Sequence, residues 1–174
     1  MPSPVTIKIK CPVPLIEFMV GQYGPMPIVF QRKCDFTDIL NWMLDIPPLD
    51  YHEHDYGPST LTIQLPYFED KNVLSYNYLT RVQQEMFVRR VYRFFKITFR
   101  GEMNKSIMLG WEKKESIILF QDKYGMGPDS TDMLEKDYQR YIQLRCKNRD
   151  LFRTNKNLSV KEAKCPASLA SEEK

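Results

Sequence analysis

The sequence predicts an α+β protein, with a small N-terminal module of three strands and two short helices followed by an all-helical unit. Three short segments before residue 67 have the apolar, β-branched character of strands, whereas apolar residues recur at helical spacing beyond residue 75. Charge divides the chain in the same way. Residues 1–79 hold 5 Lys and Arg against 9 Asp and Glu (net −4), and residues 80–155 hold 16 against 10 (net +6). We therefore expect the module over residues 1–70 and the helical unit over residues 75–153.

The elements of the module follow from alternation and from turn residues. Residues 5–10 and 59–66 alternate apolar and polar side chains, and residues 27–30 form a shorter apolar run, so each predicts a strand. Two short helices are expected between them. The first covers residues 15–20, and the second begins with Asp35 or Thr37 as its cap and stops before the proline pair at residues 47–48.

The longest predicted helix runs from Tyr78 to about Lys105, because no Gly or Pro interrupts it before Gly101. Its expected core face carries Val88, Val91, Tyr92, Phe95 and Phe99. A second face carries a stripe of four cations at helical spacing, namely Arg89, Arg93, Lys96 and Arg100.

Two further helices complete the predicted helical unit. One spans residues 111–124 and buries Ile117, Phe120 and Tyr124. The next begins near Thr131 and reaches Cys146 or further, with its expected core positions at Leu134, Tyr138, Tyr141 and Ile142. Residues 154–174 contain few large apolar groups and no period, which predicts a flexible tail.

The connection between these two helices predicts a helix-turn-helix over residues 111–146. Gly125 directly follows an apolar-periodic helix, where a left-handed residue ends the helix and turns the chain. Met126 is then placed to fill the angle between the helices. Asp129, Ser130 and Thr131 supply side chains that can cap the amides of the next helix. An ordinary three-helix bundle remains the alternative, since any corner between two helices needs such residues.

A DNA-reading helix must bury one face and present long hydrogen-bonding side chains on the other. The helix from Thr131 separates its residues in this way, although Asp132 and Glu135 near its start would repel phosphate. The residues that we expect to contact base edges are Lys136, Gln139, Arg140 and Gln143. The cations that we expect to contact phosphates are Arg89, Arg93, Lys96, Arg100, Lys113, Lys114, Lys123 and Lys147.

Nine residues of this region resemble a known family. They are Ile117, Phe120, Tyr124, Asp129, Ser130, Leu134, Tyr138, Arg140 and Tyr141. Their arrangement is similar to the C-terminal helix-turn-helix of Mor-like transcription activators, and to small proteins of phages and mobile elements of Bacteroidetes. The resemblance implies binding to double-stranded DNA as a homodimer. It also implies that an N-terminal part pairs the subunits, a role that would fall to the strand module of residues 5–66.

Catalytic and metal sites are not expected. His52 and His54 share a polar loop with acidic neighbours, but such a loop supplies at most two of the three or four ligands that a metal needs. The seven glycines form no phosphate-binding loop. The sequence thus predicts no enzyme, no cofactor and no small-molecule substrate. Trp42 and Trp111 are expected to fill gaps in the core rather than to stack on bases.

The chain is expected to lie in the cytoplasm of a bacterial host. No apolar run approaches 18 residues, and the start of the sequence has no signal-peptide character, so no membrane partner is predicted. Cys11, Cys34, Cys146 and Cys165 lack metal-binding spacing and indicate free thiols in a reducing compartment. The functional hypothesis is a DNA-binding transcriptional regulator of a phage or mobile element. The alternative is a structural or interaction protein of a virion or such an element.

Overall fold

Residues 4–162 are described by the computed structural model, with side chains through residue 147, and they contain three strands and five α-helices. The order is β1 (Thr6–Lys10), α1 (Val13–Tyr23), β2 (Ile28–Val29), α2 (Asp35–Met43), β3 (Thr60–Gln64), α3 (Arg81–Met108), α4 (Lys113–Tyr124) and α5 (Thr131–Glu162). The predicted α+β class is confirmed. No helix in this described part of the chain is both long and apolar enough to cross a bilayer.

The three strands form one sheet in the order β1-β3-β2. β1 and β3 are antiparallel, with Ile7 opposite Ile63 and Ile9 opposite Leu61. β2 runs parallel to β3 and places Ile28 opposite Ile63. All five of these side chains are buried, so the alternation that predicted the strands also defines the inner face of the sheet.

Helix α1 joins the sheet module to the long helices. Its buried Phe18 ring lies 5.2 Å from Phe95 and 4.9 Å from Tyr124, measured between ring centroids. The sheet and helices α1–α4 therefore belong to one compact unit, and the chain divides between Asp132 and Met133. The predicted boundary lay near residue 70. The observed division differs because α1 has apolar residues on more than one side, and these pack against β2 as well as against α3 and α4.

Helix α2 starts where expected but is not capped as expected. Cys34 occupies the N-cap position and makes no side-chain capping bond. Asp35 is the first residue of the helix, where its negative charge suits the helix dipole. Thr37 instead donates a hydrogen bond from its hydroxyl to the carbonyl of Gln31 at 2.9 Å.

Helix α3 begins at a capping box. The Thr80 amide donates to Oε1 of Gln83 at 2.7 Å, and the Gln83 amide donates to the Thr80 hydroxyl. The core face repeats every four residues and consists of Phe87, Val91, Phe95, Phe99 and Met103. Two expected core positions differ, because this spacing leaves Val88 half-buried and Tyr92 41% exposed at the edges of the buried face.

Helix α4 matches its expected core, with Ile117, Phe120 and Tyr124 buried. It starts at Lys113 rather than Trp111, because Glu112 serves as the N-cap. Trp111 is 48% exposed, so the expectation that it fills a core gap is wrong.

Helix α5 extends to Glu162 and so includes the first part of the segment expected to be a tail; residues 163–174 lie outside the described residues. Leu134 and Tyr138 are buried as expected. Tyr141 is half-buried and Ile142 is 38% exposed, so these two do not form the expected core.

Three of the cysteines, Cys11, Cys34 and Cys146, are free thiols as expected, and Cys165 lies outside the described residues.

Burial raises the pKa of Cys11 from 9.0 to about 12. At about pH 8 its thiolate fraction should be about a thousandfold lower than that of an ordinary thiol. We expect iodoacetamide to alkylate the exposed Cys146 in the native protein and Cys11 only after unfolding in guanidinium, as peptide mass spectrometry would show. Equal native labelling of both would contradict the buried position.

Candidate nucleic-acid interface

The turn after α4 is held by side chains as well as by glycine. Gly125 has a φ of 62° and ends α4 in the left-handed conformation, as expected. Gln121, a buried residue that the sequence did not single out, donates from Nε2 to the carbonyl of Gly127 at 3.0 Å and to the hydroxyl of Thr131 at 3.1 Å. The Ser130 hydroxyl donates to the same Gly127 carbonyl at 2.6 Å. These hydrogen bonds link the last turn of α4 to the residues that lead into α5.

Helix α1 fixes the same turn from a distant part of the sequence. The amide of Gly127 donates to Oε2 of Glu17 at 3.0 Å. Met126 is buried, as expected for a residue that fills the corner. Pro128–Ser130 then form a single 3-10 turn that leads directly into α5. The turn itself is therefore held by contacts from α4 and from α1.

The expected base-contacting residues lie on one exposed side of α5. We call these four residues, Lys136, Gln139, Arg140 and Gln143, together with Lys147, which is expected to contact a phosphate, the α5 stripe. Their spacing of three and four residues places them in line along the helix, over roughly 16 Å at 1.5 Å per residue. All five are exposed, and none makes an ion pair or side-chain hydrogen bond within the described residues.

The acidic residues of α5 are distributed unevenly around this stripe. Asp132 is exposed and lies one turn before Lys136, so its carboxylate is on the same side. Asp137 is buried, with 8% of its surface exposed. Arg145, which the sequence did not single out, donates from Nη1 to the Tyr141 hydroxyl at 3.3 Å. Glu135 is half-buried and lies one turn before Gln139, so the stripe carries positive charge only beyond Glu135 within the described residues.

The predicted cation stripe on α3 is less uniform than expected. Arg89 and Arg93 are exposed, whereas Lys96 and Arg100 are half-buried. The ammonium of Lys96 lies 4.2 Å from the ring centroid of Tyr92. This face of α3 therefore presents two exposed guanidinium groups, those of Arg89 and Arg93, instead of four equal cations.

The expected phosphate-contacting lysines of α4 differ among themselves. Lys113 is half-buried and Lys114 exposed, and neither has an ion-pair partner in the described part of the chain. Lys123 is bound by Glu102, with 2.7 Å between Nζ and Oε1. This hydrogen bond raises the pKa of Lys123. The carboxylate of Glu102 offsets part of the positive charge that Lys123 could offer to a phosphate.

Two residues that the sequence did not select lie beside the α3 cations. Arg90 pairs with Asp35 of α2 at 3.4 Å. Trp42 is 72% exposed, so it does not fill the core as expected. A signal for this existed in the sequence, because the buried Phe36, Leu40 and Met43 define a helical face that excludes position 42.

The loop that carries His52 and His54 is held by hydrogen bonds to Asp55. Asp55 accepts hydrogen bonds from the Thr60 hydroxyl and the Gly57 amide, each at 2.9 Å, and these bonds lower the pKa of Asp55. His52 and His54 are both exposed. Within the described residues, no three His, Cys, Asp or Glu side chains are grouped so that they could hold a metal ion.

Comparisons with protein-family models, curated proteins and solved structures found no match to this chain.

Proposed function

We propose that the protein binds double-stranded DNA without catalysing a reaction, and that it regulates transcription in a phage or mobile element inside a bacterial cell. The observation that carries the proposal is the exposed α5 stripe, whose five long polar side chains have no partner within the described residues. A homodimer, as the resemblance implies, belongs to the same proposal.

The chemistry of the stripe suits the edges of base pairs. A helix fits the major groove, where Arg pairs with the two acceptors of guanine and Gln pairs with the donor and acceptor of adenine. Arg140 and Gln143 lie one turn apart on α5, so they can reach neighbouring base pairs. Lys136, at one end of the stripe, is assigned to a base edge, and Lys147, at the other end, to a phosphate of the groove wall.

The remaining cations are assigned to phosphate binding. Lys114 and Arg93 are exposed and unpaired among the described residues, so they can contribute without breaking an ion pair. Such contacts add affinity for any duplex and carry no sequence information. Specificity would then reside in α5 and most of the non-specific affinity elsewhere.

Exchanging Arg140 for alanine tests this division. On a duplex selected from a random pool, we expect Arg140→Ala to cost about 1–3 kcal/mol and to relax the preference at one base position. Lys114→Ala should weaken selected and random duplexes by the same factor, because it removes only a phosphate contact. Fluorescence anisotropy on single-base variants of the selected duplex would separate the two effects. An equal loss on all duplexes for both variants would contradict the assignment.

A second candidate function rests on a different observation. Three apolar residues at the end of α3 and in its connection to α4 are exposed. They are Met108, Leu109 and Trp111, at 87%, 71% and 48%, respectively. Such an apolar surface favours a structural or interaction protein of a virion or mobile element.

The dependence of binding affinity on salt concentration discriminates the two functions. Binding through phosphates should weaken with salt at a logarithmic slope of about −0.9 per neutralised phosphate, whereas an apolar protein interface should change little.

A further inference from the structure

Helices α2 and α3 enclose a groove with two depressions that share Arg90 and Arg93. The larger depression, about 430 Å³, is lined by Trp42, Ile39 and Met86 together with Arg89 and the two shared arginines. The smaller, about 290 Å³, lies on the other side of the shared pair and is lined by Tyr23, Phe94, Ile97 and Asp35, among others. Both have mainly apolar walls, and the shared charges lie between them.

The charges of the groove are only partly neutralised. Asp35 pairs with Arg90 at 3.4 Å, and Glu85 lies 3.9 Å from Arg89, at the limit of an ion pair. Arg93 is exposed and has no ion-pair or hydrogen-bond partner within the described residues. An unpaired guanidinium beside apolar walls is suited to a ligand that carries a negative oxygen and a flat apolar group. Phosphate matches the fork of an arginine particularly well.

Trp42 supplies the flat surface. Its side chain is 72% exposed at the rim of the larger depression, although an indole is among the most costly groups to leave in water. Exposed aromatic rings next to arginines are the combination on which unpaired bases stack, because every base has a π-face and every nucleotide a phosphate. The smaller depression offers Tyr23 and Phe94 as a second aromatic wall.

From this arrangement we propose that the α2–α3 groove binds a single strand of nucleic acid. One phosphate contacts Arg93, with Arg90 beside it, and the flanking bases enter the two depressions, one of them against Trp42. The order of base, phosphate and base along a strand matches the order of depression, arginine pair and depression. The inference rests on the proposed function for the class of ligand. The groove has no residue in common with the α5 stripe, although Arg89 and Arg93 of the groove also belong to the proposed phosphate contacts of the duplex.

The test uses the full-length Trp111→Phe protein, in which Trp42 is the only tryptophan. Titration with a thymidine oligonucleotide should quench the Trp42 fluorescence in a saturable way. Labelled-oligonucleotide anisotropy should show binding about 5- to 150-fold weaker for Trp42→Ala, the loss that corresponds to one stacked base. Arg93→Ala should also weaken binding several-fold, whereas Arg93→Lys should restore part of it.

Two exposed positions outside the groove provide matched controls. Lys105→Ala removes one positive charge from the same helix, and Tyr67→Ala removes an aromatic side chain that is 73% exposed. Each should leave oligonucleotide binding within about twofold of the parent protein, if stacking at Trp42 supplies the affinity. Circular dichroism confirms that each variant is folded. A uridine oligonucleotide in parallel distinguishes a preference for RNA from one for DNA.

The outcomes separate this inference from the proposed function. If duplex binding remains sensitive to Arg140 but no oligonucleotide quenches Trp42, the groove assignment is wrong and the proposed function stands. If Trp42 is quenched with a requirement for Arg93 while duplex binding is absent, the groove assignment stands alone. Displacement of the oligonucleotide by polyglutamate at equal charge concentration would instead assign the groove to an acidic peptide and overturn the inference.

Discussion

Replacing Phe18 by alanine is expected to lower the free energy of unfolding by about 3–5 kcal/mol, the range for removing a fully buried phenylalanine. The ring is entirely buried and lies within 6.2 Å of four other aromatic rings, those of Phe94, Phe95, Phe120 and Tyr124. These rings come from α3 and α4. The cavity left by alanine would therefore open where three helices meet, and neighbouring backbones could not collapse into it without losing their other contacts.

Urea unfolding monitored by tryptophan fluorescence would measure the effect, because Trp42 and Trp111 both lie in the compact unit that contains Phe18. Tyr67→Ala removes an aromatic side chain of similar size from the surface and should change the free energy of unfolding by less than about 0.5 kcal/mol. A loss below about 1 kcal/mol for Phe18→Ala would show that α1 does not form part of this core.

Alanine at Gly21 should destabilise the protein by about 2–3 kcal/mol, the upper part of the range for overpacking. Gly21 lies within α1, where alanine would ordinarily be the better helix former. A Cβ atom at this position, however, would clash with the backbone carbonyl of Tyr124 at the end of α4. Because that obstacle is backbone, relief requires the two helices to separate.

Gly101 provides a comparison within the same protein, because alanine there is expected to change the free energy of unfolding in the opposite direction. It also lies within a helix, α3, but a Cβ atom there would meet no other atom within 4 Å. Gly101→Ala should therefore stabilise the protein by about 0.5–1 kcal/mol through helix propensity alone. Thermal unfolding of the two variants would give shifts of opposite direction. A stabilising Gly21→Ala would show that α1 and α4 do not approach so closely.

Local patterns were sufficient for most of the secondary structure. Alternation located β1 and β3 because each strand has one buried face, and glycine at position 125 marked the end of α4 because the turn requires a positive φ. Helix α5 was found from its period, and its exposed side was identified correctly at Lys136, Gln139, Arg140 and Gln143. These features depend on residues within a few positions of one another.

The division of the chain could not be predicted in the same way. Helix α1 is short and lies between proline and glycine, so its sequence indicates a connecting helix of a small module. Its position at the centre of the aromatic core depends on Phe95 and Tyr124, residues far along the chain. Nothing in the local pattern near residue 70 shows that the apolar faces on either side pack together.

The candidate nucleic-acid interface could likewise be predicted only in part from local sequence patterns. The outward-facing cations of α5 were identified from sequence. The pairing of Lys123 with Glu102 and of Arg90 with Asp35 was not. Each of these ion pairs joins two helices, and its formation depends on how the helices are aligned. Sequence spacing gives the face of a residue on its own helix and not the charge that lies opposite.

The hydrogen bond from the Gly127 amide to Glu17 spans 110 positions of the chain. During synthesis on the ribosome, residues 13–23 emerge long before the helices that cover them. Phe18 and Met19, both fully buried in the finished protein, therefore remain exposed to water or to a chaperone until α4 and its turn have been made. The nascent N-terminal part cannot complete its own core, and a chain that is released early carries an uncovered apolar helix that favours aggregation.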